Sequence, residues 1–129
     1  MFKTLLVEDE EAVRGLLATV LETGGFKVVT ANSAAEGTAI LAEGEDFDVV
    51  ITDLRMESPL AGFEVVRVAG EAVPRPVIVV LTAYPVPASD WRNAGADALF
   101  VKGTGTWALP EQLRALLEDR EHMTHRRKM

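Results

Sequence analysis

The sequence predicts an α/β fold in which a five-stranded parallel sheet is covered by helices on both faces. Five short apolar segments alternate with five segments of helical character, which is the order expected when each strand is followed by a crossover helix. Two of the apolar segments, residues 49–51 and 77–81, lack polar alternation, as is typical of strands buried on both faces. The length of 129 residues, of which 48% are hydrophobic and 26% charged, suits a single globular domain.

The first two strand–helix pairs are marked by periodicity and by helix start and stop signals. Strand one is the run at residues 5–7, and the helix after it carries apolar residues three and four positions apart. These apolar residues are Val13, Leu16, Leu17, Val20 and Leu21. A Gly-Gly pair ends that helix, and residues 26–31 form strand two. Ser33 and Glu36 form a capping box that begins a second helix, which ends near Gly44.

The last three pairs are shorter, and proline and glycine mark their limits. Residues 77–81 are the strongest strand signal in the chain. Pro110 lies in the first turn of the final helix, a position that favours proline. The predicted ranges are 47–52, 77–81 and 98–101 for the strands, and 62–70, 89–94 and from 110 onward for the helices.

Composition and charge exclude several classes of protein. The absence of cysteine excludes a disulfide scaffold, a thiolate zinc site and a cysteine nucleophile. No apolar run approaches the ~20 residues of a membrane span, and acidic residues follow the first apolar run too soon for a signal peptide, so we expect a cytoplasmic protein. The net charge is −7 and the basic excess is confined to residues 120–129, which argues against direct binding of nucleic acid. We expect one domain over residues 1–120 and a basic tail, or the start of a linker, over 121–129.

Chemically reactive side chains follow the predicted strands. Glu8 and Asp9 come after strand one, Asp53 after strand three, Thr82 after strand four and Lys102 after strand five. Because the carboxyl ends of parallel strands meet at one edge of an open sheet, we expect these side chains to lie together. Clustered carboxylates favour a hard divalent cation such as Mg²⁺, and a carboxylate beside Mg²⁺ is a nucleophile toward phosphorus.

Each of these residues has a simpler interpretation when it is taken alone. An acidic pair such as Glu8 and Asp9 is favourable at a helix N-terminus. Thr82 belongs to a residue type that is common at strand ends and turns, and an isolated Lys102 is expected to be solvated. The occurrence of all of them at the ends of successive strands favours a functional site.

In their order and spacing, these motifs resemble the receiver domain of two-component response regulators, the CheY-like family, over about residues 2–119. The matching segments are Leu-Leu-Val-Glu-Asp-Glu, Val-Val-Ile-Thr-Asp-Leu-Arg-Met, Val-Leu-Thr-Ala and Gly-Ala-Asp-Ala-Leu-Phe-Val-Lys. The resemblance implies a doubly wound, flavodoxin-like (βα)5 fold with strand order 2-1-3-4-5. It also implies that Asp53 accepts a phosphoryl group from a histidine kinase or a phosphotransfer protein, and that Thr82 and Lys102 hold the phosphoryl oxygens.

The same resemblance implies a metal site. Asp9 and Asp53 would bind Mg²⁺ directly, with Mn²⁺ as an alternative ion. The main-chain carbonyl of Arg55 would be a third ligand, and Glu8 would act through a water molecule. The expected role of the ion is to neutralise the repulsion between the anionic nucleophile and an anionic phosphoryl group.

Two loops depart from the family pattern. Glu57 replaces a proline that is common in the family, and Gly62 lies at the ninth position after Asp53 instead of the eighth, so the loop after strand three is predicted to be one residue longer. Gly103 replaces the proline that usually follows Lys102. We expect a trans peptide bond there, because a cis bond before a residue other than proline costs ~2.5–4 kcal/mol. The connection from strand five to the last helix is also longer than usual.

Residues around the expected switch differ from the family as well. Leu99 stands where the family often has a rotating aromatic residue, and Phe100 is expected to point to the opposite face of its strand. Ala83 and Tyr84 directly follow the strand-four threonine. We expect Tyr84 near the mouth of the site, where it screens the phosphoryl group from water, with Arg55 doing the same from the other side.

The expected function is a phosphorylation-controlled switch that takes up and slowly hydrolyses its own phosphoryl group and turns over no separate substrate. It would signal by contact with a downstream protein that the sequence does not identify. Helix four, strand five and helix five form the usual dimer or partner surface of the family, and thus a candidate homodimer interface. Residues on these elements include Trp91, Arg92, Arg114 and Glu118.

Two other functions stay open. A degenerate receiver would act as a phosphorylation-independent interaction module, which the altered loop, Leu99 and Gly103 favour, although no site residue is missing. A small phosphatase or phosphotransferase would use Asp53 as its nucleophile. Such enzymes usually need a second Asp two residues further on, where this chain has Arg55.

Overall fold

A single parallel sheet positions the predicted site residues. The computed structural model describes residues 1–84, 86–103 and 105–128. Its strands are β1 (Lys3–Val7), β2 (Lys27–Ala31), β3 (Val49–Asp53), β4 (Val77–Thr82) and β5 (Ala98–Val101). They lie side by side in the order β2-β1-β3-β4-β5, and all the pairings are parallel. The predicted fold class and strand order are therefore confirmed.

Helices connect the strands in the order that the sequence predicts. They are α1 (Glu11–Thr23), α2 (Ala34–Ala42), α3 (Gly62–Gly70), α4 (Ala88–Asn93) and α5 (Leu109–Lys128), and a 3₁₀ turn (Thr106–Ala108) precedes α5. Because α5 continues to Lys128, the predicted division at residue 120 falls inside a helix, and the division between domain and tail stays a prediction. Residue 129 lies outside the described residues. Within the described part of the chain, no helix combines the length and apolar character needed to cross a membrane.

Two apolar cores lie on either side of the sheet. Leu5, Val50 and Val80 belong to a core that is closed by α2, α3 and α4. Leu6 and Ile51 belong to the opposite core, which α1 and α5 close. Successive strand residues thus serve opposite cores, as strand geometry requires. Full burial of a Val or Leu side chain contributes ~1.5–3 kcal/mol, so the two cores together hold the strands, and hence their carboxyl ends, in one register.

Helix α1 differs from the prediction at one position. Leu17, Val20 and Leu21 are buried as expected, but Leu16 is 49% exposed. Successive helical residues are rotated by about 100° about the helix axis, which places Leu16 at the edge of the buried stripe. The helix therefore presents one large apolar side chain to solvent.

The N-terminus of α2 is capped largely as predicted. Ser33 Oγ accepts a hydrogen bond from the Glu36 amide at 3.0 Å. The Glu36 carboxylate accepts from the amide of Asn32 at 3.3 Å instead of from that of Ser33, so the reciprocal half of the capping box is displaced by one residue. The serine cap nevertheless fixes the point at which β2 turns into α2.

Candidate functional site

The carboxyl edge of the sheet brings the predicted acidic residues together. β1 pairs with β3 so that Val7 lies beside Thr52, and the next residues, Glu8 and Asp53, therefore emerge next to each other. Glu8, Asp9 and Asp53 each place a carboxylate oxygen within 4.8 Å of the others. Glu8 and Asp53 are only 1% and 9% exposed, whereas Asp9 faces solvent. The cluster thus has a buried side and an open side.

Lys102 links the two buried carboxylates. β4 pairs with β5 so that Thr82 lies beside Val101, and the Lys102 amide donates to the Thr82 carbonyl at 2.7 Å. The Lys102 ammonium donates to Glu8 Oε1 at 2.8 Å and to Asp53 Oδ2 at 2.9 Å. Side chains from strand ends that are far apart in the sequence therefore form one polar cluster.

Burial and neighbouring charges set the protonation behaviour of this cluster. Burial raises the pKa of Glu8 to about 7; the Lys102 hydrogen bond opposes this shift, and the neighbouring Asp53 carboxylate reinforces it. Burial by itself would lower the pKa of Lys102, but the hydrogen bonds to Glu8 and Asp53 outweigh it and hold that pKa above its ordinary value. Lys102 is therefore a cation at neutral pH, whereas Glu8 exchanges its proton near neutrality.

One carboxylate oxygen in the cluster lacks a partner. Glu8 Oε2 is buried and accepts no hydrogen bond from the described residues. Leaving a buried polar atom unpaired costs ~1–3 kcal/mol, so this oxygen favours a proton, a water molecule or a cation beside it. Together with the carboxylates of Asp9 and Asp53, it provides oxygen donors of the kind that a hard divalent cation prefers.

Hydrogen bonds from Leu54 and Lys102 hold the Asp53 carboxylate in place. Its Oδ1 atom accepts from the Leu54 amide at 2.7 Å, while Oδ2 faces the Lys102 ammonium. Gly62 packs against the main chain of Asp53 and Leu54, and the Gly62 amide donates to the Leu54 carbonyl at 2.9 Å. A Cβ on Gly62 would lie 2.8 Å from Leu54 Cα and closer still to the Asp53 carbonyl oxygen. This close approach requires glycine at the first position of α3.

Arg14 supports the acidic pair in a way that the sequence did not indicate. Its guanidinium donates to the carbonyl oxygen of Glu8 at 3.0 Å and to that of Asp9 at 3.4 Å. Arg14 lies in α1, one turn beyond these residues, so the contact holds the backbone of the strand end against the helix that follows it. A basic residue five or six positions after an acidic pair is too common a pattern to predict such a contact.

Glu57 makes a second contact that sequence reasoning missed. Its carboxylate oxygens accept from the amides of Ala34, at 2.9 Å, and Ala35, at 3.0 Å, at the start of α2. The hydrogen bond from the Ala34 amide lowers the pKa of Glu57, and the Ala35 amide acts in the same direction. The residues in contact are more than twenty positions apart, so no local pattern signals it. The sequence identified Glu57 only as a replaced proline.

Of the residues predicted around the switch, Ala83 and Tyr84 face solvent, whereas Leu99 and Phe100 pack against the two cores. Tyr84 is 67% exposed, and its amide donates weakly to Thr82 Oγ1 at 3.4 Å. Ala83 is exposed as well, whereas the Thr82 side chain is buried. Leu99 packs against the core of α2, α3 and α4, and Phe100 against the core of α1 and α5. The two residues therefore point to opposite faces of β5, as predicted.

The loop after β5 and the loop after β3 are the two that depart from the family pattern. The peptide bond between Lys102 and Gly103 is not cis, as expected, and Gly103 has a φ of +113°. Proline is restricted to a φ near −65°, so the turn after Lys102 excludes the proline that is usual in the family. In the loop after β3, Arg55 is exposed and follows Asp53 by two residues.

The predicted partner surface is only partly present. Trp91 is half-buried against the core of α2, α3 and α4, and the Arg92 guanidinium lies 5.0 Å from its ring centre. Glu118 is exposed on α5. The Arg114 guanidinium instead lies 5.4 Å from the Phe26 ring, after α1, so the expectation that it belongs to the α4–β5–α5 surface is wrong. The cation–π contact with Phe26 holds the Arg114 side chain on the side of α5 that lies next to α1.

Comparison with known sequences agrees with this arrangement. A family model described as "Response regulator receiver domain" matches residues 4–114. The photosynthetic apparatus regulatory protein RegA of Cereibacter sphaeroides is 38% identical over 104 residues, which cover 73% of this chain and 55% of RegA. The chain thus spans about half the length of this relative.

Solved structures of receiver proteins share the fold. A CheY-like receiver domain protein from Methanospirillum hungatei gives a TM-score of 0.84 at 26% identity, with 95% of this chain and 98% of that chain covered. The response regulator TrrA of Thermotoga maritima, crystallised in complex with Mg²⁺ and BeF, gives a TM-score of 0.73 at 30% identity, with coverages of 90% and 99%. Family match, fold and strand-end cluster agree, and the chain belongs to the response regulator receiver domains of two-component systems.

Proposed function

We propose that this receiver domain is an active phosphorylation-controlled switch with Asp53 as its phosphoryl acceptor. The observation that carries the proposal is the pair of hydrogen bonds from the Lys102 ammonium, at 2.8 Å to Glu8 and at 2.9 Å to Asp53. They place a cation beside a buried carboxylate at the edge of the sheet. Burying two carboxylates against each other costs free energy, and a site that uses Asp53 as a nucleophile toward phosphorus accounts for this cost.

The cofactor in this proposal is Mg²⁺, with Mn²⁺ as an alternative. The carboxylates of Asp9 and Asp53 and the main-chain carbonyl of Arg55 would hold the ion. Glu8, whose Oε2 accepts no hydrogen bond within the described part of the chain, would act through a water molecule. When bound, the ion supplies positive charge that offsets the repulsion between a carboxylate and an anionic phosphoryl group.

The proposed transfer step uses a phosphohistidine on a histidine kinase or phosphotransfer protein as donor. A carboxylate oxygen of Asp53 attacks phosphorus, the new O–P bond forms, the P–N bond breaks, and the electron pair leaves with the donor's imidazole nitrogen. The Lys102 ammonium stabilises one phosphoryl oxygen. Among the described residues, the buried Thr82 hydroxyl receives one weak contact, at 3.4 Å from the Tyr84 amide, and it is therefore available to bind another phosphoryl oxygen.

The signal would leave the domain through protein contact. Movement of Thr82 toward the phosphoryl group would shift the loop after β4 and the exposed face of α4 between two states. A partner or a second copy of the domain would read this change at the surface of α4, β5 and α5, where Arg92 is exposed. The chain is proposed to act in the cytoplasm and not to bind a membrane. Its net charge of −7 disfavours contact with the phosphates of nucleic acid, so direct binding of nucleic acid is not part of the proposal.

The test is a binding titration with Mg²⁺ and then with beryllofluoride, a phosphoryl mimic, on the wild type and on Asp53→Asn. TrrA, at 30% identity, was crystallised with Mg²⁺ and BeF, which makes this probe appropriate. Half-buried Trp91, near the responding loop, provides a fluorescence signal, and calorimetry provides a second signal that does not depend on the position of a tryptophan. We expect saturable beryllofluoride binding that requires Mg²⁺ and is lost in Asp53→Asn.

Two outcomes would contradict the proposal. If neither method detects binding, the domain is a degenerate receiver that acts as a phosphorylation-independent interaction module. If Asp53→Asn still takes up phosphate from a phosphodonor, the acceptor has been assigned to the wrong residue. Hydrolysis of the phosphorylated form is proposed to be slow and limited to the chain's own phosphoryl group, without turnover of a separate substrate.

A further inference from the structure

The loop between β3 and α3 is attached to a different part of the fold by one side chain. Glu57 accepts hydrogen bonds from the amides of Ala34 and Ala35, at 2.9 and 3.0 Å, in the first turn of α2. The first amides of a helix have no partner within the helix itself, and the positive end of the helix dipole favours a carboxylate. The contact is therefore favourable for both elements that it joins.

Glu57 anchors its own loop through hydrogen bonds, beside the packing of Met56 against the core of α2, α3 and α4. The ends of the loop are fixed, because Leu54 bonds to Asp53 at one end and Gly62 bonds to Leu54 at the other. Between them, the bond from the Met56 amide to the Ser58 carbonyl stays within the loop. Among the hydrogen bonds of the described residues, the two that Glu57 accepts are the ones that tie residues 55–59 to another helix or strand.

We propose that Glu57 is a positioning residue for the cation site, which joins the loop bearing the Arg55 carbonyl to the N-terminus of α2. The inference rests on the proposed function, because it assumes that the acidic cluster binds Mg²⁺. Arg55 lies two residues before Glu57, so an anchored Glu57 restricts where the Arg55 carbonyl lies relative to Asp9 and Asp53. The longer loop, which has no proline at this position, obtains its restraint from the carboxylate instead.

The coupling runs in both directions. If the anchored loop is the form that binds the cation well, the apparent affinity falls by the fraction of molecules whose loop is released. By the same linkage, an occupied site favours the anchored loop and therefore the hydrogen bonds that Glu57 accepts from the Ala34 and Ala35 amides. Cation binding should thus be detectable at the start of α2, away from the ligands themselves.

The test compares Mg²⁺ affinity, measured by calorimetry, in the wild type and in four variants. Glu57→Ala removes the anchor, and Glu57→Gln keeps one acceptor oxygen without the charge. Glu57→Asp keeps the charge but is one methylene shorter and does not reach both amides. Ser33→Ala removes the other cap of α2, at Glu36, without touching the loop. Glu57 and Ser33 are at the surface, so all four variants are expected to fold, and thermal unfolding checks this.

We expect Glu57→Ala and Glu57→Asp to weaken Mg²⁺ binding by about three- to ten-fold, less than the ~10–100-fold typical of a residue bonded directly to a ligand. Glu57→Gln should fall between them and the wild type. Ser33→Ala should bind Mg²⁺ as the wild type does. In the wild type, Mg²⁺ should slow hydrogen exchange at the Ala34 and Ala35 amides, and this effect should disappear in Glu57→Ala.

Each contrary result has its own meaning. Unchanged affinity in Glu57→Ala would overturn the positioning role while leaving the metal site intact. Equal losses in Glu57→Ala and Ser33→Ala would assign the effect to the stability of α2. Wild-type affinity in Glu57→Asp would assign it to charge alone. If the wild type itself does not bind Mg²⁺, both the proposed cofactor and this inference are wrong.

Discussion

Strands β3 and β5 each lead to a residue of the site, but they are embedded in the protein very differently. All five residues of β3 are buried, whereas none of the four residues of β5 is. Asp53 ends β3 directly against the first residue of α3. Lys102 follows β5 and leads into a left-handed turn at Gly103. The neighbouring helices differ as well, since α3 has nine residues and α4 only six.

This difference shows how one domain can combine fixed chemistry with a movable response. Catalytic electrostatics depends on charged groups that are already in place, and the buried end of β3 satisfies that need. A region that changes state must instead have low local stability, which fits the half-exposed β5 and the short α4. Substitutions at the end of β3 and the start of α3 should therefore lower the free energy of unfolding more than substitutions near α4 and β5.

The largest expected effect is at Gly62. A methyl group in Gly62→Ala would overlap the backbone of Asp53 and Leu54, and backbone atoms cannot rotate away as a flexible side chain does. We expect a loss of unfolding free energy on the order of 2–4 kcal/mol, measured by urea denaturation. Asp53 should move with the backbone, so beryllofluoride binding should weaken as well.

Gly15 provides the matched control for this substitution. It lies within α1, and a Cβ there would meet nothing within 4 Å. Because alanine is the better helix former, Gly15→Ala should raise the unfolding free energy by about 0.5–1 kcal/mol. Equal effects of the two substitutions would show that the contact beneath Asp53 is loose and that the two sides of the site do not differ as described.

The next largest effect is the pH dependence that Glu8 brings to the cation-free protein. Its pKa is raised from the ordinary value of 4.5 to about 7 in the folded state. Between these two pH values the folded protein holds a proton that the unfolded chain has released, so raising the pH favours unfolding. The contribution of Glu8 to stability should therefore fall from pH 4.5 to 7, on the order of 1–3 kcal/mol in total.

The measurement is urea denaturation with a chelator present, across this pH range. Other carboxyl groups titrate too, so the quantity of interest is the difference between the wild type and Glu8→Gln, which cannot ionise at this position. The wild type should lose stability relative to the variant as the pH rises. Parallel pH profiles would mean that Glu8 is not buried against Asp53 as the structure shows.

Most of the fold and the centre of the site could be predicted because both depend on local pattern and simple topology. The apolar runs at β3 and β4 predict buried strands, and parallel strands bring their carboxyl ends to one edge. Glu8, Asp53 and Lys102 could therefore be placed together from their positions after strands. The capping role of Ser33 followed from a motif of four residues.

The parts that could not be predicted depend on side chains that meet across long stretches of sequence. Glu57 reaches α2 over more than twenty residues, and its distance from Ala34 depends on how the loop folds. Leu16 has the spacing of a buried residue, and only the rotation of α1 on the sheet exposes it. Arg114 is drawn to Phe26, a ring that no pattern associates with it. The direction of side chains, on the helices and in the loop after β3, was thus the main uncertainty.

The smallest effect on stability is expected at Tyr84, on the exposed side of the site. A substitution there separates an effect on phosphoryl chemistry from an effect on folding. The Tyr84 side chain is 67% exposed, so Tyr84→Ala should change the unfolding free energy by less than about 0.5 kcal/mol. Its amide nevertheless lies 3.4 Å from Thr82 Oγ1, the atom proposed to bind a phosphoryl oxygen. If the ring keeps water from the phosphoryl group, Tyr84→Ala should speed dephosphorylation by roughly two- to ten-fold, measured as loss of phosphate after labelling with a small-molecule phosphodonor.

Tyr84→Phe keeps the ring without the hydroxyl and should retain the slow rate. A fast rate in Tyr84→Phe would assign the effect to the hydroxyl, and unchanged rates in both variants would show that the open side of the site does not control access of water.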